Sequence, residues 1–174
     1  MRDEDEFRAF AHGHAPTLRR SAYLFCGDWH LAEDLVQTTL VKIYKSWSRV
    51  GRRETTHNYA RTVLLRTWLD EKRRPWRRSE WGSPEVPDTA DPSVDIADGV
   101  GRSWERDQVH RALLTLGPRQ RAVLVLRYFD ELSVAETALV MGCAEGTVKS
   151  QAARGLAALR AAVGGISEGE LVGT

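Results

Sequence analysis

Cysteine is scarce in this sequence, and its histidines are too scattered to indicate a metal site. Cys26 and Cys143 lie far apart and neither belongs to a CxxC pair, so neither a disulfide framework nor a zinc site is indicated. Of the five histidines, only His12 and His14 are close neighbours, and no cysteine or carboxylate set completes a coordination sphere beside them. No spacing of serine, histidine and aspartate is typical of a hydrolase. We therefore predict no metal, no cofactor, no catalytic residue and no enzyme activity.

Long apolar runs and strand patterns are also missing. No stretch approaches the length that a helix needs to cross a membrane. The acidic beginning, residues 3–6, lacks the apolar segment of a signal peptide, which predicts a soluble, cytoplasmic protein. β-branched residues never alternate with polar ones over the length of a strand. We therefore expect an all-α fold.

Acidic and basic residues are strongly segregated, although the formal net charge of the chain is only +1. Residues 49–78 contain ten lysines and arginines against three acids, whereas residues 79–101 contain six acids and no base. Such segregation indicates a polyanionic partner for the basic part. A solvated helix face is the alternative interpretation of any single run of charge.

Stripes of apolar residues at helical spacing account for the first part of the chain. Three helices are predicted in this part, near residues 7–25, 31–47 and 58–72. Gly27 is suited to end the first of them, and Asp28 can cap the second. A polar loop is expected over residues 48–57, and Pro75 stops the third helix.

A proline-rich acidic stretch then separates two parts of the chain. Four of the six prolines lie between Pro75 and Pro92, in a segment without a core of its own. Helical patterns resume near residue 103. We predict two small helical domains, an N-terminal helical bundle and a C-terminal four-helix domain, joined by a flexible acidic linker. The expected boundaries are 1–78 for the first domain, 79–102 for the linker, 103–164 for the second domain and 165–174 for a tail.

Residues 143–160, CAEGTVKSQAARGLAALR, form a helical pattern with two unlike faces. At about 100° per residue, one stripe is polar and consists of Thr147, Ser150, Gln151 and Arg154. The opposite stripe is apolar or small and consists of Val148, Ala152, Gly155, Leu156 and Leu159. Lys149 lies on the flank, where its long stem can reach sideways. The pattern predicts a helix with an apolar back and a short reading face.

The residues before this helix fit the first half of a helix-turn-helix. Ala138 is small where two helices must cross closely, Gly142 can take the positive φ of the turn, and Val148 can pack back from the second helix. Separately, Gly142 could be an ordinary helix end and Ala138 an ordinary core residue. Together with the polar stripe, their spacing indicates a DNA-binding unit whose second helix enters the major groove.

Three motifs in this order resemble the extracytoplasmic-function sigma factors of bacterial RNA polymerase. LGPRQRAVLVLRYFDELSVAETALVMGCAEGTVKSQAARGLAALR is similar to their promoter-reading C-terminal domain. AEDLVQTTLVKIYKSW resembles their polymerase-binding helix, and NYARTVLLRTWLDEKRR resembles the helix that reads the minus-ten element. In its general character the sequence resembles the actinobacterial members of this family. The resemblance implies an alternative sigma factor that joins core RNA polymerase, recognises the minus-ten and minus-thirty-five elements and initiates transcription of a specific gene set.

The resemblance also implies partners and the residues that contact them. Contacts with the clamp of the largest polymerase subunit fall on Glu33, Asp34, Leu35 and Gln37. Contacts with minus-ten DNA fall on Asn58, Arg61, Arg66, Lys72, Arg73 and Arg74. Contacts with minus-thirty-five DNA fall on Thr147, Lys149, Ser150, Gln151 and Arg154. Further implied partners are the flap of the second-largest subunit and, as a candidate, an anti-sigma factor.

The implied roles agree with elementary electrostatics. An acidic helix end suits a basic coiled-coil partner, and basic side chains supply affinity for promoter DNA, duplex or single-stranded, by neutralising phosphates. In the alternative interpretation, Leu35 packs in the core and the acids only favour the start of the helix, and both interpretations can hold at once. A free-standing helix-turn-helix regulator that binds an operator as a dimer is the other function considered, and it leaves the acidic docking helix unexplained.

Overall fold

The computed structural model describes residues 2–51, 55–74 and 100–171, and all regular structure in these ranges is helical. Most of the predicted linker, residues 79–99, lies outside the described residues. The N-terminal unit (residues 2–74) contains α1 (Arg2–Cys26), α2 (Trp29–Lys45), α3 (Trp47–Val50) and α4 (Thr56–Arg73). The C-terminal unit (residues 100–171) contains α5 (Val100–Leu114), α6 (Pro118–Leu124), a π-helical segment (Val125–Phe129), α7 (Val134–Met141) and α8 (Glu145–Leu171). The all-α prediction is confirmed. None of the described helices is long and apolar enough to cross a membrane.

The break between α1 and α2 forms as the sequence predicts. Gly27 adopts a positive φ of 76°, which glycine takes without steric cost, and it ends α1. The Asp28 carboxylate then accepts hydrogen bonds from the backbone N–H groups of His30 (2.8 Å) and Leu31 (3.2 Å). These two donors would otherwise be unsatisfied at the start of α2. A Cβ on Gly27 would also lie 2.8 Å from the side chain of Leu114, so the C-terminal unit packs closely against this turn.

The predicted polar loop over residues 48–57 is partly wrong. Its first residues belong to α3, and α4 begins at Thr56, before the predicted start. The reason is Trp47, which is buried and contacts the rings of Phe7 and Phe10 at centroid distances of 5.3 and 5.2 Å. Gly51 closes this short helix against the indole, and a Cβ there would come within 2.4 Å of the Trp47 ring. Packing of one tryptophan therefore orders a segment that is polar by composition.

Helix boundaries in the C-terminal unit follow local signals in the sequence. Pro118 stands in the first turn of α6, where its missing N–H costs no hydrogen bond. Ser133 and Glu136 form a reciprocal capping box at the start of α7, with N···O distances of 3.0 and 2.8 Å. Gly142 ends α7 with φ at 66°. Ser133 and Gly142 therefore bound α7 by a side-chain cap at its start and a positive φ at its end.

The two units share one hydrophobic core. Buried side chains of the N-terminal unit, among them Phe25 and Trp68, belong to the same cluster as Leu126, Leu132 and Val140 of the C-terminal unit. Helix α1 contacts α5, α6 and the π-helical segment, and α4 contacts α7. The units are therefore packed together in this structure.

Arg121 is the polar centre of the contact between the units. Its guanidinium donates hydrogen bonds to the carbonyl oxygens of Phe25 (2.5 Å), Leu114 (2.9 Å) and Leu116 (2.8 Å). It also lies over the Trp68 ring, 5.6 Å from the centroid. Because Phe25 stands in the last turn of α1, a cation here favourably meets the negative end of the helix dipole. Burial lowers the pKa of Arg121 to about 10, so the charge is retained at neutral pH.

His110 lies at the contact between the units. The ring is buried and stacks on Tyr23, whose ring in turn stacks on Trp29 at 3.8 Å. Burial lowers the pKa of His110, helped by Arg121, while the Tyr23 backbone and Asp107 oppose the shift. The neutral imidazole is therefore the form that fits the folded chain.

We expect the folded chain to lose stability in acid partly through His110. Its stabilising effect is fully present above about pH 6.5, the ordinary pKa of histidine, and is lost as the pH falls through the lower folded-state pKa. His110→Asn removes this titration. Urea unfolding between pH 7.5 and 5.5 should show a steeper decline for the parent than for the variant. Parallel declines would assign the acid sensitivity to other groups, such as His57, whose pKa burial also lowers.

Candidate nucleic-acid interface

The helix-turn-helix predicted from the sequence is present between α7 and α8. Val148 of α8 is fully buried and packs with Ala138 of α7 and with Val123 and Ala152. At the turn, the Cys143 N–H donates to the carbonyl oxygen of Ala138 over 3.1 Å. Small residues on both helices allow the close crossing on which this motif depends. The predicted roles of Ala138, Gly142 and Val148 in this packing are confirmed.

Helix α8 presents the predicted polar stripe to solvent. Thr147, Lys149, Ser150 and Arg154 are exposed, and Gln151 is half-buried. The Ser150 hydroxyl donates to the carbonyl oxygen of Gly146 over 3.0 Å, so its oxygen stays open as an acceptor. On the other side of the helix, a Cβ at Gly155 would lie 3.1 Å from Leu124, and glycine thus brings α8 close to α6. The arrangement places a short polar face on a rigid helix, as major-groove reading requires.

Helix α4 carries most of the residues predicted to contact minus-ten DNA, and in the structure some of them are exposed and others are partly buried. At about 100° per residue, Arg61 and Lys72 fall at one edge of the basic stripe, and Arg66 and Arg73 at the other. Arg66 and Arg73 are exposed, as is Arg74 after the helix end. The Arg61 side chain is only 14% exposed, Lys72 is half-buried and Asn58 is half-buried. In this structure only one edge of the stripe is open to a nucleic-acid strand.

The covered edge of α4 faces the C-terminal unit. Arg61 Nε lies 3.5 Å from Asp130 Oδ2, and the same carboxylate accepts from the Ser21 hydroxyl at 2.8 and 3.0 Å. Lys72 lies over the Trp68 ring, 5.1 Å from its centroid. Burial, reinforced by the charge of Arg121, lowers the pKa of Lys72 to about 8. Sequence reasoning missed Asp130 and Ser21, since neither stands out in a local pattern.

The acidic end of α2 was predicted as a protein-docking surface. Asp34 and Gln37 are exposed, and Glu33 is half-exposed and pairs with Arg19, with Glu33 Oε2 2.7 Å from Arg19 Nε. Leu35 is only 2% exposed and packs in the core, which is the alternative that the sequence left open for it. Its role in this structure is to hold the helix, and Val41 and Tyr44 are instead the large apolar side chains that α2 exposes. Val41 and Tyr44 lie off the buried stripe of α2 in the sequence, and this position could have predicted that their side chains are exposed.

Family models match both units. The model for sigma-70 region 2 matches residues 10–78, and the model for sigma-70 region 4 matches residues 106–159. The chain is 34% identical to the RNA polymerase sigma-E factor of Streptomyces avermitilis over 89% of this chain and 83% of that protein. It is 33% identical to the ECF RNA polymerase sigma factor SigL of Mycobacterium tuberculosis, over 88% of this chain and 86% of that one.

Two solved structures have a similar fold at low sequence identity. The sigma factor RpoE of Bartonella quintana, solved with the anti-sigma factor NepR, aligns with a TM-score of 0.73 at 22% identity, over 90% of this chain and 96% of that chain. CnrH, solved with the cytosolic domain of CnrY, aligns with a TM-score of 0.62 at 21% identity, over 89% and 85%. These likenesses concern the fold.

Proposed function

This chain belongs to the extracytoplasmic-function sigma factors, which recognise the minus-ten and minus-thirty-five promoter elements and initiate transcription, and we propose how its residues divide that work. The N-terminal domain, residues 1–78, binds core polymerase and engages the minus-ten element. The C-terminal domain, residues 103–164, reads the minus-thirty-five element, and residues 79–102 link the two. The observation that carries the proposal is the exposed polar stripe on a well-packed recognition helix, α8.

Reading of the minus-thirty-five element is assigned to α8. The exposed Arg154 guanidinium can donate two hydrogen bonds to a guanine edge, while Thr147 and Ser150 can bond base edges or phosphates. Lys149 on the flank serves a neighbouring phosphate, and Gln151 supports the stripe from its half-buried position. Phosphate contacts set the register of the helix, and base contacts carry the specificity.

Engagement of the minus-ten element is assigned to α4. Arg66, Arg73 and Arg74 are exposed and can neutralise strand phosphates. Asn58, Arg61 and Lys72 complete the basic stripe when the C-terminal unit does not cover its other edge. A free-standing regulator would need no such second unit, whereas residues 10–78 match a sigma-70 region as a whole.

Binding to core polymerase is assigned to the exposed end of α2. Glu33, Asp34 and Gln37 form an acidic, polar surface suited to the clamp of the largest subunit, with Leu35 packed beneath it. The flap of the second-largest subunit is the proposed partner of the C-terminal domain. An anti-sigma factor is a further candidate partner. We also propose that the protein acts in the cytoplasm. It is an initiation factor and not an enzyme, and it needs no cofactor, because the polymerase carries out the nucleotide chemistry.

Asp34→Lys should weaken binding to core polymerase by at least about tenfold. The reversal sets like charge against a basic partner surface, and like-charge contacts cost several kcal/mol. Fluorescence anisotropy of the labelled chain, titrated with core polymerase, measures the effect. Asp5→Lys makes the same charge change at an exposed site near the start of α1 and should leave the affinity near that of the parent. Circular dichroism should show an intact helix, and unfolding would make Asp34 a structural residue.

A further inference from the structure

Asp130 of the C-terminal unit is held by two helices of the N-terminal unit. Its side chain is 6% exposed. It accepts a hydrogen bond from the Ser21 hydroxyl of α1 and forms an ion pair with the Arg61 guanidinium of α4. The Ser21 hydroxyl oxygen also lies 3.2 Å from the Thr17 carbonyl oxygen, a longer distance than to Asp130, so its single proton is directed mainly to the carboxylate. A carboxylate so deeply buried needs such partners, because an unpaired buried charge is strongly unfavourable.

The C-terminal unit presents Asp130 through its own local structure. The Asp130 N–H donates to the carbonyl oxygen of Val125 over 2.9 Å, the i→i+5 bond that ends the π-helical segment. Glu131 then adopts a φ of 56°, which is uncommon outside glycine, and Leu132 returns into the core. The corner is therefore built by the C-terminal unit and carries the carboxylate toward the N-terminal unit.

The residue that Asp130 engages belongs to the proposed minus-ten surface. A guanidinium binds carboxylate and phosphate through the same charge-assisted hydrogen bonds. Asp130 and a strand phosphate therefore compete for the Arg61 side chain. Arg121 of the same unit lies over the Trp68 ring, as Lys72 does, and its charge lowers the pKa of Lys72, so the C-terminal unit acts on both members of one edge of the α4 stripe.

We propose that the C-terminal unit restrains the free protein in cis, with the Asp130 carboxylate occupying on Arg61 the place of a promoter-strand phosphate. The inference rests on the proposed function, because it takes Arg61 as a minus-ten contact. The free chain then holds a closed form with reduced affinity for a single strand, and separation of the units releases Arg61 and Lys72.

The geometry makes this restraint reversible. The distance of 3.5 Å between Arg61 Nε and Asp130 Oδ2 exceeds the 2.7–2.9 Å of a strong charge-assisted hydrogen bond. A phosphate that binds Arg61 at the shorter distance can therefore displace the carboxylate. Burial raises the pKa of Asp130, although Ser21 and Arg61 lower it, so burial in the closed form disfavours the charged carboxylate. A restraint of this kind needs only a modest preference for the closed form.

Asp130→Asn tests the proposal in the full chain. The variant keeps the size of the side chain and removes the charge that engages Arg61. Binding to a fluorescein-labelled single-stranded DNA of about 16 nucleotides, measured by anisotropy without polymerase, should tighten about tenfold, as expected when the competent form is a minor population. The radius of gyration from small-angle scattering should rise. Ser21→Ala, which removes the other partner of the carboxylate, should change both quantities in the same direction by less.

Two controls separate this inference from the proposed function. Glu131→Gln removes one charge from the neighbouring exposed residue and should change DNA binding little. Adding Arg61→Gln to Asp130→Asn should abolish the gain. If Asp130→Asn and Ser21→Ala bind the oligonucleotide like the parent while Arg61→Gln impairs promoter opening by the holoenzyme, the restraint is refuted and the role of Arg61 stands. If Arg61→Gln leaves promoter opening unchanged, the minus-ten assignment fails and the restraint with it.

Discussion

Arg154→Ala is expected to weaken recognition of the minus-thirty-five element by about 1–3 kcal/mol, or roughly 5–150-fold in affinity. Arg154 is exposed on α8, two turns along the polar stripe from Thr147, where a helix in the major groove places a side chain near a base edge. The loss should concentrate at one base position, so that promoters carrying different bases there become nearly equivalent. Binding of the holoenzyme to a set of single-base promoter variants measures this effect.

Arg160→Ala is the matched control for Arg154. Arg160 is also exposed on α8 but lies nearly two turns farther from the start of the helix, beyond the reading stripe. Its removal should reduce binding slightly and equally on all promoter variants, as expected for a phosphate contact. An equally uniform loss with Arg154→Ala would contradict base reading by Arg154.

Trp68→Ala is expected to lower the free energy of unfolding by about 3–5 kcal/mol. The Trp68 side chain is fully buried and stacks on Phe25, with a centroid distance of 5.0 Å and an interplanar angle of 13°. The Arg121 and Lys72 side chains both lie over its ring. Its removal would leave a cavity where α1, α4 and the C-terminal unit meet. Urea unfolding followed by circular dichroism measures the change.

Two comparisons sharpen the Trp68 prediction. Val41→Ala removes an exposed apolar side chain from α2 and should change the unfolding free energy by less than about 0.5 kcal/mol. Trp68→Phe retains an aromatic ring and should lose less than the alanine variant. An alanine variant as stable as the parent would mean that Trp68 does not stand in a shared core.

Local signals in the sequence predict several of the helix boundaries in the described part of this chain. Gly27, Asp28, Ser133 and Gly142 act within one or two turns of their own positions, through a positive φ or a side-chain cap. The apolar stripe of α8 likewise indicates which face is buried, because helical periodicity depends only on neighbours along the chain. The helix-turn-helix could therefore be predicted together with its outward face.

Long-range packing could not be predicted in the same way. A stripe indicates that a face is buried but not what covers it, and Arg61 is partly covered by a carboxylate from the other unit. Arginine is usually a surface residue, yet Arg121 is buried and donates to one carbonyl oxygen of the N-terminal unit and two of its own unit. Each of these outcomes depends on contacts between residues far apart in the sequence.

Transcription by core RNA polymerase with and without this chain tests most directly whether the chain directs promoter-specific initiation. Genomic DNA serves as the template, and transcript 5′ ends are mapped across it. We expect new transcripts from a limited set of sites that share sequence at two upstream elements, absent with core polymerase alone. Arg154→Ala should reduce these transcripts, and Asp34→Lys should reduce them through weaker assembly. No gain of site-specific initiation over core polymerase alone would mean that the chain does not select promoters for the polymerase.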